Sequence, residues 1–225
     1  YQTNFEDGQG SVGEWAARTA GTHGNALGVS ICTSATAYEQ TAVTTTSGTE
    51  AAGQTTISVT DASVINVSDI VNFGEVFEYE VTSRNTTSNE IVIKLLDDPN
   101  GAGLQSQITS GTSIRRRWRF YDLFDGAPGT SSYATQNTRG NNDEIHIVVY
   151  DTEGDLSGFS VDANGNRTNA VLETYPNLSV NPNAKSPQGD SIYYPNVIFK
   201  KSLFIYWMDH NVGGLNFGED ISGAT

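Results

Sequence analysis

The clearest apolar pattern in the chain lies in the segment from Asp143 to Gly158, which reads DEIHIVVYDTEGDLSG. In an extended conformation Ile145, Ile147 and Val149 fall on one face, and the opposite face is largely apolar as well. This pattern predicts a strand that is buried on one side and mostly covered on the other. The glycine and aspartate residues that follow favour a tight turn, so the segment is predicted to open a β-hairpin.

Other apolar patterns predict further strands and two short helices. Ala26–Cys32 and Val171–Val180 each have the length and composition of a strand. The segment Ser202–Met208 is apolar on both faces, which is typical of a central strand. One helical turn is expected at residues 14–19, and a second helix, capped by an Asp or a Ser, is expected over about residues 190–200.

Short alternating runs fill the middle of the chain. Thr55–Thr60, residues 77–81 and residues 91–95 alternate in polarity and are separated by turns that contain Gly or Asn. Short strands at this spacing predict a small antiparallel β barrel or sandwich over about residues 53–118. The preceding stretch, Ala35–Gln54, is rich in Thr, Ala, Ser and Gly and is predicted to be a linker or a flexible surface excursion.

Four blocks of sequence carry a family resemblance when they are taken together. In chain order they are WAARTAGTHGNALGV (15–29), DEIHIVVYDTEGDLSG (143–158), VLETYPNLSV (171–180) and YYPNVIFKKSLFIYWMDH (193–210). Their content and order resemble the tail sheath proteins of contractile-tailed bacteriophages. The family often has proline before the first glycine of the first block, where this chain has Ala20. The resemblance covers well over half of the chain and fades across the middle.

The resemblance implies a fold class and a domain organisation. The expected fold is α+β and predominantly β, with a mixed sheath-core domain that carries an inserted small antiparallel β barrel or sandwich. Residues 1–45 and 119–225 are expected to form the sheath-core domain, and residues 46–118 the insertion. The chain begins with Tyr1 rather than Met, and it is expected to be a central fragment that lacks the terminal arms of the family.

The function that the resemblance implies is structural rather than enzymatic. Sheath subunits stack as rings around the inner tail tube, and their contraction drives the tube through the host envelope. The expected partners are other copies of the subunit and the tube protein, and the expected location is the virion tail sheath after assembly in the host cytoplasm. In the family, strands from the chain termini tie neighbours together by extending an adjacent sheet. Without evident arms, this chain is expected to be monomeric in isolation.

Charge and cysteine content narrow the possible partners. The chain has 26 acidic and 12 basic residues, for a formal net charge of −14. Such a charge argues against nucleic acid or an anionic membrane surface as the main partner. No apolar run approaches the roughly 20 residues that span a bilayer, so no membrane insertion is predicted. The single cysteine, Cys32, allows no intrachain disulfide and is predicted to be a small core residue.

The segment from Arg115 to Arg119 holds four of the 12 basic residues. Interleaved aromatic residues suggest one hypothesis, a nucleic-acid patch. The acidic composition favours another, a charge-complementary contact within the molecule or with an acidic neighbouring subunit. Arg115, Arg117 and Arg119 share one face of an extended segment, with Asp122 and Asp125 as expected nearby partners. These three arginines are the candidate subunit-contact residues, and reversing them to Glu is expected to impair assembly while leaving the monomer folded.

The sequence predicts no catalytic, cofactor-binding or metal-binding residue. The sequence contains no phosphate loop, nucleophile elbow or HExxH signature. His23, His146 and His210 are scattered; two of them with Cys32 could ligate zinc, but structural roles are favoured. Asp162–Thr168 alternates oxygen ligands, yet a calcium loop needs glycine at the position of the arginine in this segment. A polar turn is predicted there instead.

One rival function comes from a different class. The acidic, Thr- and Asn-rich insertion is also compatible with a carbohydrate- or receptor-binding β module of a phage or surface protein. Saturable glycan binding by residues 53–118 would favour that rival, whereas an absence of binding would leave it without support. An enzymatic function ranks third because no set of residues indicates a reaction.

Overall fold

The structure is a computed structural model that describes residues 14–96, 98, 100–152, 154, 156–158, 160–161, 167–168 and 170–208. Within this part of the chain the protein is predominantly β with few helices, and the paired strands are antiparallel. The expected β-rich class is therefore confirmed. The chain divides into two compact units. The first unit comprises residues 1–34, 128–158 and 169–225, and the second comprises residues 35–127 and 159–168.

The elements are numbered in chain order. The strands are β1 Trp15–Ala17, β2 Leu27–Cys32, β3 Glu39–Thr45, β4 Thr56–Ser58, β5 Ile70–Asn72, β6 Tyr79–Asn85, β7 Glu90–Leu95, β8 Ser113–Arg117, β9 Glu144–Asp151, β10 Ser160–Val161, β11 Arg167–Thr168, β12 Ala170–Ser179 and β13 Ile205–Trp207. The helices are α1 Thr22–Asn25, α2 Ala35–Tyr38, α3 Ser132–Asn137 and α4 Tyr194–Lys201, with a 3-10 turn at Tyr121–Leu123.

The first unit is built around β9, the strand that the clearest sequence pattern predicts. β9 lies at the centre of a three-stranded sheet in the order β12-β9-β2, and Ile147 pairs with Ile31 on one side and Tyr175 on the other. The inward face of β9 packs with α4 and β13 in one hydrophobic core, whose buried members are Ile145, Ile147, Val149, Tyr175, Leu178, Tyr194, Val197, Ile198 and Ile205. The strands predicted at Ala26–Cys32 and Val171–Val180 are confirmed as β2 and β12.

Gly28 in the first unit shows why a small residue is needed on β2. Gly28 pairs directly with Tyr150 of β9, and a Cβ atom at Gly28 would lie 2.4 Å from the Tyr150 ring. That separation is far below van der Waals contact, so the ring covers the glycine backbone. The first block, residues 15–29, thus ends in a strand whose sequence is constrained by its neighbour.

Three local predictions in the first unit are corrected. Residues 14–19 contain strand β1 rather than a helical turn, because Trp15–Ala17 pairs with Ile205–Trp207. The last predicted strand is shorter than Ser202–Met208, and β13 pairs with β1 alone in a two-stranded sheet, so it is not a central strand. The helix expected from about residue 190 begins at Tyr194, where Pro195 occupies the first turn and needs no amide partner.

The second unit contains a six-stranded sheet in the order β3-β8-β5-β6-β7-β4. Its buried apolar residues form a separate core, made of Ile57, Val59, Ala62, Ile65, Val71, Phe73, Tyr79, Val81, Ile91, Ile93, Leu104, Ile108 and Ile114. The two end strands are linked just beyond their named bounds by a bridge between Thr46 and Val59. The backbone N–H of Ser47 donates to the carbonyl of Ser58 at 2.9 Å, and that of Thr60 donates to the carbonyl of Thr45 at 2.8 Å.

The prediction of a linker at Ala35–Gln54 is wrong. This stretch contains α2 and β3, and β3 pairs with β8 over Glu39–Thr45. Its threonines are β-branched and favour extended backbone, although they give no apolar alternation. A strand at the end of a sheet needs few buried side chains, so its pairing with β8 determines its structure more than its own pattern does.

Candidate subunit-contact site

The three candidate arginines lie on or just after β8 in the second unit. Ile114 and Arg116 are buried on the inner face of β8, whereas Arg115 and Arg117 point to the other face because side chains alternate along a strand. Arg119 follows two residues after the strand ends. The predicted shared face is therefore confirmed for Arg115 and Arg117.

Arg115 and Arg117 have acidic partners within the same chain. Arg115 forms an ion pair with Glu39 of β3. Arg117 binds Glu78 through two hydrogen bonds, from Nε to Oε1 at 3.0 Å and from Nη2 to Oε2 at 2.7 Å. Its guanidinium also lies 4.4 Å from the centre of the Tyr121 ring. Partial burial alone would lower the pKa of Arg117, but Glu78, with smaller contributions from Tyr121 and Asp122, outweighs this effect and the pKa is raised, so Arg117 stays charged.

Arg119 belongs to a three-residue network. Its Nη1 donates to Glu80 Oε1 at 2.8 Å, and Lys94 Nζ lies 2.9 Å from Glu80 Oε2. Glu80 and Lys94 are paired across β6 and β7, which explains their proximity. The carboxylate of Glu80 is largely buried and is shared by the two cations.

The ion pairs correct one detail of the sequence interpretation. Asp122 and Asp125 were expected to be the partners, but among the described residues neither forms an ion pair with the candidate arginines. We call the set formed by the three arginines and their observed partners the charged row; its members are Arg115, Arg117, Arg119, Lys94, Glu39, Glu78 and Glu80. Most of its cationic charge is compensated within the molecule, which agrees with the intramolecular form of the charge-complementary hypothesis.

Arg116 forms a different kind of contact on the inner face. Its Nη1 lies 3.3 Å from Asp69 Oδ2, and the two side chains are only 9 % and 7 % exposed. Its Nη2 donates to the carbonyl of Thr36 in α2 at 2.8 Å. Burial raises the pKa of Asp69, although the charge of Arg116 opposes this effect. Arg116 thus joins α2 to the sheet and compensates a buried carboxylate.

Of the other residues that the sequence singled out, His146 and Cys32 have structural contacts, and His23 is exposed in α1. His146 is buried, and its Nδ1 accepts a hydrogen bond from the backbone N–H of Asn177 at 3.0 Å. Cys32 is also buried, and its Sγ lies 3.5 Å from the carbonyl of Ser34. Within the described ranges, no group of three or more His, Cys, Asp or Glu side chains is placed to hold a metal ion. His210 and most of Asp162–Thr168 lie outside the described residues.

Sequence reasoning missed a buried polar cluster around Asp143. Oδ1 of Asp143 accepts from the backbone N–H of Ser131 at 2.7 Å, and Oδ2 accepts from the hydroxyl of Ser131 at 2.7 Å and from that of Ser179. The Ser131 hydroxyl also accepts from the N–H of Ala134 and caps α3. The cluster connects α3 to β12 at the start of β9. Its only sequence signal is a carboxylate next to a predicted strand, which is common in surface turns.

Comparison with known proteins adds no relative. No protein-family model, curated protein or solved structure matches the chain. Among the helices of the described residues, none is long and apolar enough to cross a membrane.

Proposed function

We propose that the chain is a structural subunit of a contractile tail sheath of a bacteriophage, and that it polymerises around the tail tube and contracts to drive the tube through the host envelope. One observation supports this proposal. The whole middle of the sequence separates the first of the four sheath-like blocks from the second, but the described parts of all four blocks belong to the first unit.

The blocks also share one core. The first block supplies β1 and β2, the second β9, the third β12, and the fourth α4 and β13. Side chains from each block meet in the same hydrophobic cluster, in which Trp15 and Leu27 pack against the buried residues of β9, β12 and α4. The other unit, residues 35–127 and 159–168, contains none of the four blocks and has its own core. It includes residues 35–45 and 119–127, which were expected to belong to the sheath-core domain. If the resemblance were a chance match, the four blocks would not be expected to fall together in one of the two units.

The proposed role fits the kinds of contact that the described residues offer. A sheath subunit needs a rigid body that keeps its fold while its contacts with neighbours change. In the second unit, the charged row and the buried Arg116–Asp69 pair connect three or more segments through ion pairs. In the first unit, the hydrogen bonds of the Asp143 cluster likewise connect three or more segments. No catalytic group is required for this function.

Immunoelectron microscopy tests the proposal. Antibodies raised against the chain are applied to particles of the virus that carries its gene, before and after tail contraction. Labelling along the outside of the tail in both states is the expected result, and antibodies pre-absorbed with the chain serve as the control. Labelling confined to fibres or the tail tip would overturn the sheath proposal and favour the receptor-binding rival. Tails without label would also overturn it.

A finer structural proposal concerns the second unit. We infer that its six strands close into a barrel through β3 and β4, and the support is the Thr46–Val59 bridge with the two flanking backbone hydrogen bonds. A closed barrel leaves no strand edge open to unwanted pairing. Amide hydrogen exchange tests the closure, because the N–H groups of Ser47 and Thr60 should then exchange as slowly as that of Val59. Fast exchange at Ser47 and Thr60 beside a protected Val59 would show an open sheet.

A further inference from the structure

The turn between β5 and β6 presents apolar side chains to solvent. Val76 is 92 % exposed and Phe77 is 39 % exposed. Asn72 holds this turn in shape, because its Nδ2 donates to the carbonyls of Glu75 and Phe77, each at 2.8 Å, and its Oδ1 accepts from the N–H of Gly74. The turn therefore displays two apolar side chains on a defined backbone, and their burial by another surface would be favourable.

The end of α4 in the first unit presents a second apolar surface. Phe199 is 69 % exposed, and Leu203, two residues beyond the end of the helix, is 78 % exposed. The backbone here is also fixed. Arg18 Nη2 donates to the carbonyl of Phe199 at 2.8 Å, and the N–H of Leu203 donates to Glu173 at 2.7 Å.

The two surfaces carry opposite charge. Lys200 and Lys201 lie between Phe199 and Leu203, are exposed, and among the described residues form no ion pair. Asp98 lies on the loop beside the turn, and a hydrogen bond from Leu96 N–H to the Glu78 carbonyl holds the loop there. The carboxylate of Glu75 in the turn faces inward, because one oxygen is buried and the other accepts from the Ser106 hydroxyl at 2.6 Å. Backbone N–H groups of Asn100 and Ala102 lower the pKa of Asp98, so its carboxylate is ionised at neutral pH.

We propose that the turn at residues 74–78 of one copy docks on the end of α4 of a second copy. Val76 and Phe77 pack against Phe199 and Leu203, while the two lysines face the carboxylate of Asp98 beside the turn. The choice of a second copy rests on the proposed sheath function and on charge complementarity: in a chain of net charge −14, an uncompensated basic patch suits an acidic partner such as the chain itself.

The geometry of this contact determines the kind of assembly. It joins two different surfaces, so it is heterologous, and its repetition from copy to copy builds a ring or an open array. Four apolar side chains bury much less than the roughly 1,000 Å² that a stable interface needs. The contact is therefore weak alone and adds to others in an array, which is consistent with a monomeric chain in dilute solution.

Site-specific cross-linking of the full chain tests the docking. A V76C chain and an L203C chain, with tags of different size, are mixed at high concentration with a short bis-maleimide. The fully buried Cys32 is common to both. The expected product is the V76C–L203C heterodimer in excess over both homodimers. The matched control is V67C, a valine of the same unit that is 51 % exposed, mixed with L203C. Equal yields with V67C, a predominance of homodimers, or no cross-link would overturn the proposal.

A charge variant tests the electrostatic part. K200E in the L203C chain is expected to lower the heterodimer yield about two- to fivefold at low salt, as loss of exposed ion pairs predicts. K185E, which makes the same change at another exposed lysine of the first unit, should leave the heterodimer yield unchanged; equal effects of K200E and K185E would contradict the contact.

The two proposals can fail separately. Labelling of the tail by the antibodies without cross-linking of the cysteine variants would overturn the docking alone. Cross-linking with unlabelled tails would overturn the sheath function and leave self-association in place.

Discussion

Replacing Arg116 with methionine removes one buried cation while keeping a long apolar side chain in its place. The variant leaves the carboxylate of Asp69 without its cation at a site where Asp69 is 6 % exposed. It also removes the hydrogen bond that Arg116 donates to the carbonyl of Thr36 at 2.8 Å. We therefore expect the second unit to be strongly destabilised.

The size of the effect follows from burial. Removing one partner of a buried ion pair costs about 3–5 kcal/mol, because the remaining charge is left uncompensated. The matched control is R115M on the opposite face of the same strand. Arg115 is 48 % exposed and its partner Glu39 is 37 % exposed, so that change is expected to cost only about 0–1 kcal/mol. The two adjacent substitutions thus differ mainly in the burial of the charge they leave behind.

Urea unfolding at neutral pH measures the difference. The fluorescence of Trp118, which is buried in the second unit, reports this unit when Trp15 and Trp207 are replaced by phenylalanine. A double variant, R116M/D69N, should recover much of the loss. The asparagine that it introduces carries no charge and can still accept the hydrogen bond that Asn66 N–H gives to Asp69.

The pH dependence provides an independent check on the reasoning. Burial already raises the pKa of Asp69, and loss of Arg116 should raise it further. A carboxyl group whose folded pKa is raised destabilises the fold where it is ionised, so R116M should regain stability relative to the parent as the pH falls through the folded pKa of Asp69. Equal costs of R116M and R115M, or a gap that widens in acid, would refute the buried-pair interpretation.

Three further predictions follow from the same contacts. E144Q is expected to raise the free energy of unfolding near pH 7 and to have little effect below about pH 4. The reason is that burial and the nearby Asp143 raise the pKa of Glu144, so the fold disfavours its ionised form. Urea denaturation at both pH values checks this, and destabilisation at both would contradict it. Neutralising Arg115, Arg117 and Arg119 to Gln should reduce the pelletable tail assemblies of the virus that carries the gene, while the circular dichroism spectrum of the chain stays unchanged. Unchanged assembly would rule out the subunit-contact role. Gln is preferred to Glu here because reversal also places like charges beside the acidic partners. Sedimentation velocity of the isolated chain at micromolar concentration should give the mass of a single copy, whereas rings or tubes would disprove this expectation.

The three strands of the β12-β9-β2 sheet could be predicted because their patterns are local. β9 has apolar residues on both faces, and its position at the centre of a sheet is what such a pattern indicates. β1 was missed because so short a strand forms no pattern, and its conformation depends on pairing with β13, which lies far away along the chain. The same holds for β3, whose threonine-rich sequence resembles a linker until β8 is placed beside it.

The exposed turn at residues 74–78 shows a different limit. The alternation of residues 77–81 predicts that Phe77 is a strand residue on the same face as the buried Tyr79. In the structure β6 begins only at Tyr79, and Asn72 closes the turn before it, which leaves Phe77 partly exposed. A side-chain amide that bonds two backbone carbonyls decides the outcome, and sequence periodicity does not report such a contact.

The partners of the candidate arginines illustrate what a sequence signal would have required. Arg117 pairs with Glu78 and Arg119 with Glu80, and both pairs are separated by 39 residues. A constant separation means that the two segments run parallel, and they do so because β8 and β6 both pair antiparallel with β5 between them. Next-nearest strands lie about 10 Å apart, a distance that Arg and Glu side chains span together. The sequence does contain a signal, because the arginines at 115, 117 and 119 and the glutamates at 78 and 80 each recur at every second position. Only the strand order, however, shows that β5 lies between these two segments. A one-residue slip of either strand would turn its charges to the other face.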